Sequence, residues 1–260
     1  MHTIVLATQK GGSGKSTLAI GLALAAKEAG HNVRLLETDQ QGTMSNWQSR
    51  RGLVEPLVEV VQNAVDIEHR LESLERGGVT LTIIDTAGGI SAATTAAIRY
   101  CDLCLIPARP SVADIEATSA TLYIVRAWKK PFAFVLNQTP IRGRRVDSAA
   151  TTLADDAARD LADVLARPFI VMRNDHQDAL AIGLAVSEYA PSGKSAEEIR
   201  GLWHWTETRL NGGLAAGGSV ARQVIEFPIR LLPRAEKTIG STAPALPNWA
   251  EAGVSWDSGL

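Results

Sequence analysis

Along residues 1 to about 210, short runs rich in Val, Ile and Leu alternate with longer segments of helical period. That alternation predicts an α/β domain with a doubly wound, mostly parallel sheet flanked by helices. Strands are predicted at residues 3–7, 32–37, 57–61, 80–85, 103–107, 132–136 and 169–172, most of them continuous apolar runs as in strands covered on both faces. Between them, Ile67, Leu71 and Leu74 recur at helical spacing in residues 66–76, with Glu72 four residues before Arg76. A further helix is predicted from about 147 to 165, carrying Leu153, Ala157, Leu161 and Val164 on one face, and a last one from about 195 to 210 with Ile199, Leu202 and Trp203. The first reads as an ordinary surface helix and the other two as packing elements.

The pattern stops near residue 210. Asn211-Gly212-Gly213 and Ala215-Ala216-Gly217-Gly218 read as a flexible linker, and residues 211–260 as a Gly/Pro-rich linker and tail. Residues 220–240 set Arg222, Arg230, Arg234 and Lys237 against Glu226 and Glu236 among apolar residues, but Pro228 and Pro233 oppose one long amphipathic helix. Composition adds exclusions. With 45% apolar and 21% charged residues, the chain is neither disordered throughout nor a coiled coil. A net charge of −2 gives no global attraction to nucleic acid or anionic membrane, so such a contact needs a local patch. The longest apolar stretch, residues 18–26, falls short of the ~20 needed to span a bilayer. The N-terminus lacks a basic region before its apolar residues, so a cytoplasmic location is expected. Cys101 and Cys104 are too few for a disulfide framework, and His2, His31, His69, His176 and His204 show no metal-ligand spacing. Trp128, Trp203 and Trp205 read as packing residues.

The chemistry concentrates in Gln9-Lys10-Gly11-Gly12-Ser13-Gly14-Lys15-Ser16-Thr17, between a predicted strand and the helical run that begins at Leu18. Glycines let backbone N–H groups wrap an anion, and the following helix N-terminus adds positive dipole. In such a loop Lys15 reaches phosphate oxygens and Ser16 can ligate Mg²⁺. The strict G-x-x-x-x-G-K-[ST] pattern fails at its first position, where Gln9 stands, and Lys10 follows.

Lys10 to Ser16 instead match K-G-G-x-x-K-[ST], and on this motif the chain resembles the ParA/MinD superfamily of dimerising ATPases. The resemblance implies a P-loop fold, ATP and Mg²⁺ as ligands, and nucleotide contacts from Lys10, Gly11, Gly12, Ser13, Gly14, Lys15, Ser16 and Thr17. Lys10 would reach across a nucleotide-sandwich homodimer to the partner's ATP. Asp39, in Glu37-Thr38-Asp39-Gln40-Gln41-Gly42, is similar to the family's D-x-D-P-Q-G switch, with Glu37 in place of the first Asp; it would orient the attacking water or a Mg²⁺-bound water. Asp85, in Ile83-Ile84-Asp85-Thr86-Ala87-Gly88-Gly89, resembles the Walker B aspartate that binds Mg²⁺ through water. The family commonly has D-T-P-P there, so Ala87-Gly88-Gly89 implies a more flexible switch. Asn137 falls where the family places an Asn that pairs with adenine. The likeness extends over residues 1–210.

The favoured reading is a ParA-type partition ATPase. Its ATP dimer would bind DNA without sequence preference through Arg173, Lys194 and Arg200, and a cargo-bound partner would stimulate hydrolysis at the nucleoid. The cluster Arg142-Gly143-Arg144-Arg145 is a second basic candidate, more simply a solvated loop. No helix-turn-helix extension is expected before the first strand, so the resemblance is to the short ParA type. The alternatives are a MinD-like membrane-associated ATPase, with residues 220–240 as its only anchor candidate, and an amide-forming synthetase. A cluster-carrying reductase would need Cys101 and Cys104 at cluster spacing, which they lack.

Overall fold

A computed structural model describes residues 1–141, 144–157 and 161–212. Strands and helices alternate from the start: β1 (His2–Leu6), α1 (Lys15–Glu28), β2 (Val33–Glu37), α2 (Thr43–Arg51), β3 (Leu57–Val60), α3 (Ala64–Arg76), β4 (Leu81–Asp85), α4 (Ala92–Tyr100) and β5 (Leu103–Ala108). There follow α5 (Val112–Glu116), α6 (Thr118–Ala127), β6 (Phe132–Leu136), α7 (Arg144–Ala157), α8 (Leu161–Val164), α9 (Asp175–Ala181), α10 (Val186–Tyr189) and α11 (Lys194–Leu210). The six strands are all parallel, in the order β3-β2-β4-β1-β5-β6.

Strand alternation divides the core into two layers. Ile4 and Leu6 of β1 pack with Ile20 and Leu22 of α1 and Leu202 and Trp203 of α11, whereas Val5 joins Ile67, Ile98 and Leu153 from α3, α4 and α7 on the other face. Both faces of β1 are thus covered, which is why it reads as an unbroken apolar run. The order also puts the loop after β1 at the middle of the C-terminal sheet edge, where α/β folds place ligands.

The structure differs from expectation at the far edge. Residues 169–172 do not form a seventh strand; they join the sheet edge by one isolated bridge, Thr139 with Val171, and a second bridge just before them pairs Phe134 with Leu165. The pairing bonds exist in part, Ile170 N–H to Leu136 O and Met172 N–H to Thr139 O. They do not join into a ladder because Gln138 turns out of β6 with φ of +53° and Pro168 has no N–H to donate. The helix expected over 147–165 is found as α7 and α8, with 158–160 outside the described residues. Beyond Asn211 and Gly212, which close α11, the 211–260 tail lies outside them too. Among the described residues, no helix is long and apolar enough to cross a membrane.

Candidate nucleotide site

The loop between β1 and α1 ends at Gly14, whose φ of +87° is in the left-handed region and which has no side chain with which to cap α1. The first N–H groups of a helix of 14 residues are therefore left facing an open cleft. That cleft has a volume of about 510 Å³ and is lined by Gly11, Gly12, Gly14, Lys15, Ser16 and Thr17 on one side and by Asp39, Gln41, Thr43, Ala87 and Gly88 on the other. The structure thus gathers Gly11, Gly12, Gly14, Lys15, Ser16, Thr17 and Asp39 on one cavity, leaves Lys10 and Ser13 off its lining, and links Asp85 to it through Ser16.

Lys15 is buried, and that burial lowers its ammonium below the ordinary value, with the charges of Asp85 and Asp39 opposing the shift. Ser16 Oγ donates to Asp85 Oδ2 at 2.5 Å. Asp85 is fully buried at the end of β4, and its Oδ1 has no hydrogen-bond partner. Burial raises the Asp85 carboxyl to about 7; Ser16 and Lys15 pull it down, while Glu37 and Asp39 push it further up. A buried carboxylate oxygen without a partner, beside a serine hydroxyl and a phosphate-binding loop, fits a site for a hydrated divalent cation. Among the described residues no three His, Cys, Asp or Glu side chains converge on a metal. A cation here would therefore rest on phosphate and water oxygens as well as on protein.

Asp39 folds back on its own loop, its Oδ1 accepting the Gln41 N–H at 3.0 Å. Glu37, two residues earlier, has a role that local pattern does not announce. It is fully buried and caps α2, accepting the Met44 N–H at 2.6 Å, the Ser45 N–H at 3.1 Å and the Ser45 hydroxyl at 2.5 Å. Its extra methylene over Asp lets a residue in β2 reach the start of the next helix.

Asn137 lies under the loop. Its Nδ2 donates to Ser13 O at 2.8 Å, its Oδ1 accepts the Gln138 N–H at 2.9 Å, and Gln138 Nε2 donates to Gly12 O at 3.0 Å. Two side chains from the end of β6 thus hold two successive carbonyls, which turns the intervening amides outward. A Cβ on Gly14 would lie well inside van der Waals contact of Asn137 Nδ2, so the loop closes on this clamp only with glycine there. The role of Gln138 was not legible in the sequence. Asn137 also lines a second, smaller pocket of about 90 Å³ with Gly14, Thr17, Leu18, Arg173, Asn174, His176 and Gln177.

Lys10 is 36% exposed at the rim, and its Nζ lies 3.4 Å from Asp114 Oδ2. Asp114 is almost fully buried, with Arg109 Nε at 2.8 Å and Ser111 Oγ at 2.5 Å. Burial works to raise its carboxyl, but the bonds from Arg109 and Ser111 and the charges of Arg109 and Lys10 hold it below the ordinary value. Asp114 stands three residues after Ser111, which caps α5, and that spacing is a signal that would have drawn attention to it.

The residues expected to contact DNA are each engaged with a carboxylate. Arg173 makes a two-pronged pair with Glu198 at 2.7 and 2.8 Å, Lys194 pairs with Glu197 at 2.9 Å, and Arg200 with Glu28 at 2.7 Å. Of the second basic cluster, Arg142 and Gly143 lie outside the described residues, and Arg145 is exposed. Cys101 and Cys104 are buried free thiols, pushed up by burial to about 12 and well above the ordinary range respectively, which makes them packing groups. Trp203 packs as expected, but Trp128 is exposed, with the Arg99 guanidinium over its ring.

Comparison with known proteins agrees with this geometry. The chain is 26% identical over 204 residues to the maintenance of carboxysome distribution protein A of Halothiobacillus neapolitanus, covering 75% of this chain and 91% of that one. It is 28% identical over 130 residues to a ParA protein of Rhizobium radiobacter, covering 48% and 56%. The same fold is found in the ATP complex of a Cyanothece McdA variant, with TM-score 0.64 and 17% identity over 82% of this chain and 96% of that one. It is found also in the cell division ATPase MinD of Pyrococcus furiosus, with TM-score 0.64 and 16% identity over 80% and 99%. The profile of the CobQ/CobB/MinD/ParA nucleotide binding domain matches residues 4–190, most of the described chain. With a phosphate-binding loop clamped from β6, a buried aspartate beneath it and a second lysine at its rim, the chain belongs to the CobQ/CobB/MinD/ParA nucleotide-binding domain family.

Proposed function

We propose that this protein is a Mg²⁺-dependent ATPase of the ParA type, forming an ATP-sandwiched homodimer that binds DNA without sequence preference. A cargo-bound partner protein would stimulate its hydrolysis and so position a plasmid, a chromosome or a protein assembly. The observation that carries the reading is Lys10. It does not line the cleft, which Lys15 does, and its Nζ stands on a single long ion pair to Asp114. A second lysine so placed has its use across an interface, where it would stabilise charge developing on the partner's transferred phosphoryl group.

The same sheet edge offers a face for that partner. Ile90 after β4, Val112 after β5, Ile141 after β6 and Met172 in the extended segment beyond are all exposed around the loop. Within the site, Lys15 would hold phosphate oxygens and Asp39 would orient the attacking water. Ser16 and Asp85 are the groups that would hold Mg²⁺, which supplies charge neutralisation on the phosphates when bound. The relatives named for carboxysome distribution and for ParA support the positioning role. DNA contact through Arg173, Lys194 and Arg200 would exchange their glutamate partners for phosphates, and dimerisation would double the patch.

The test is binding of a labelled random-sequence duplex in Mg-ATP, Mg-ADP and no nucleotide at two salt concentrations, with anionic liposomes in parallel. ATP-dependent, salt-sensitive DNA binding is expected. Liposome binding without DNA binding would replace this reading with a MinD-like one, and binding to neither would overturn the positioning role.

A further inference from the structure

At the opposite, N-terminal edge of the sheet, α4 and α6 end side by side before β5 and β6. Arg99 lies between two rings there, 5.0 Å from the centre of Trp128 and 5.2 Å from that of Tyr100. Lys130 comes close enough to Cys101 for its charge to act on that thiol. Arg126 and Lys129 extend the same end of α6. None of these four cations forms an ion pair among the described residues, although Arg126 also donates to the carbonyls of Asp156 and Ala157. Tyr123 and Trp128 are 76% and 42% exposed beside them.

A solvated helix end explains part of this, because cations in a last turn complement the helix dipole. It does not explain two exposed aromatic rings, nor Lys129 at φ of +52° in the helix-terminating position where glycine is favoured. Tyr, Trp and Arg at one spot are instead the residue types that dominate protein–protein binding energy. The rim decides the partner's chemistry. Glu68, which accepts the Tyr100 hydroxyl at 2.6 Å, and exposed Asp156 flank the cations. They oppose a continuous polyanion such as duplex DNA but leave room for a short acidic stretch. We infer that the ends of α4 and α6 form a docking surface for a partner protein bearing an acidic segment with interspersed apolar side chains. This surface is separate from the nucleotide cleft, and its assignment does not depend on the ATPase reading.

The probe is a fluorescein-labelled peptide rich in glutamate with interspersed leucine, titrated into the full chain at low salt. A lysine-for-glutamate peptide and a labelled DNA duplex serve as comparators. The acidic peptide should bind and the basic one should not. Arg99→Glu combined with Lys130→Glu should weaken binding by about tenfold or more, and Trp128→Ala or Tyr123→Ala should weaken it too, with ATP turnover unchanged. No binding of the acidic peptide, equal binding to the charge-reversed variant, or indifference to both aromatic substitutions would overturn the proposal. So would DNA binding lost in the charge-reversed variant where the peptide does not bind.

Discussion

Replacing Asn137 with Ala removes both its bonds at once, the donation to Ser13 O and the acceptance from Gln138 N–H. Asn137 is only 5% exposed, so water does not readily take its place, and a buried group left without a partner costs about 1–3 kcal/mol. At about 1.4 kcal/mol per decade, that is roughly fivefold to a hundredfold in an equilibrium constant. The clamp is made entirely by the chain's own groups, so part of the cost falls on folding and should lower Tm by a few degrees. The remainder falls on affinity, because a loosened loop must be re-ordered around phosphates. Calorimetric titration with Mg-ATP and with Mg-tripolyphosphate separates the two roles open to this residue. Tripolyphosphate has no base, so a clamp acting on the loop weakens both ligands alike. Weaker ATP binding with tripolyphosphate affinity intact would refute the clamp and assign Asn137 to the base.

Gly14→Ala should weaken both ligands in the same way, since its Cβ meets Asn137 and its backbone is left-handed; unaltered affinity in the same titration would remove the steric argument. Lys10→Ala should retain nucleotide binding but lose ATP-dependent dimerisation and turnover, read by light scattering and phosphate release, and normal turnover would sink the sandwich mechanism. Asp39→Ala should bind ATP and accumulate as an ATP-bound dimer on size exclusion, whereas hydrolysis at the parental rate would reject its role in orienting water. Burial tends to raise the Glu188 carboxyl, but the bonds from Arg51 and the Ala185 N–H and the charges of Arg51 and Lys27 hold it below its ordinary value. A carboxyl lower in the folded state stabilises fully above its unfolded value and loses that contribution as pH falls through the folded one. The gap in denaturation midpoint between the parent and Glu188→Gln should therefore be open at neutral pH and close on acidification below about pH 4, and a gap independent of pH would exclude the pair with Arg51.

Much of this was legible because it is written in local pattern. Buried parallel strands read as apolar runs, and Gly11, Gly12, Gly14, Lys15 and Ser16 read as a phosphate loop from their place between a strand and a helix, whereas Lys10 and Asp85 are singled out by the resemblance to the ParA/MinD superfamily. What was not legible depends on long-range meeting. Gln138 acts on Gly12, which is 126 positions away, and Arg173 meets Glu198 from another element. The seventh strand failed because an apolar run predicts burial, and residues 169–172 are placed by bridges that Pro168 and Gln138 keep apart. Trp128 failed because side-chain type predicts burial only on average.

Glu37 has one more consequence. Since its carboxylate is bound to the start of α2, the stretch bearing Asp39 is strung between two ends that one side chain ties together. Glu37 thus fixes the distance between the end of β2 and the start of α2, and any displacement of α2 would carry the Asp39 stretch with it. That helix is hooked to the α9–α10 region by the Trp47 indole on Leu184 O, by Arg50 on Leu180 O and by Arg51 on Glu188. One helix thereby joins the loop of Asp39 to the α9–α10 region, and the fully buried Trp47 at that junction is the natural optical reporter for any change in how they pack.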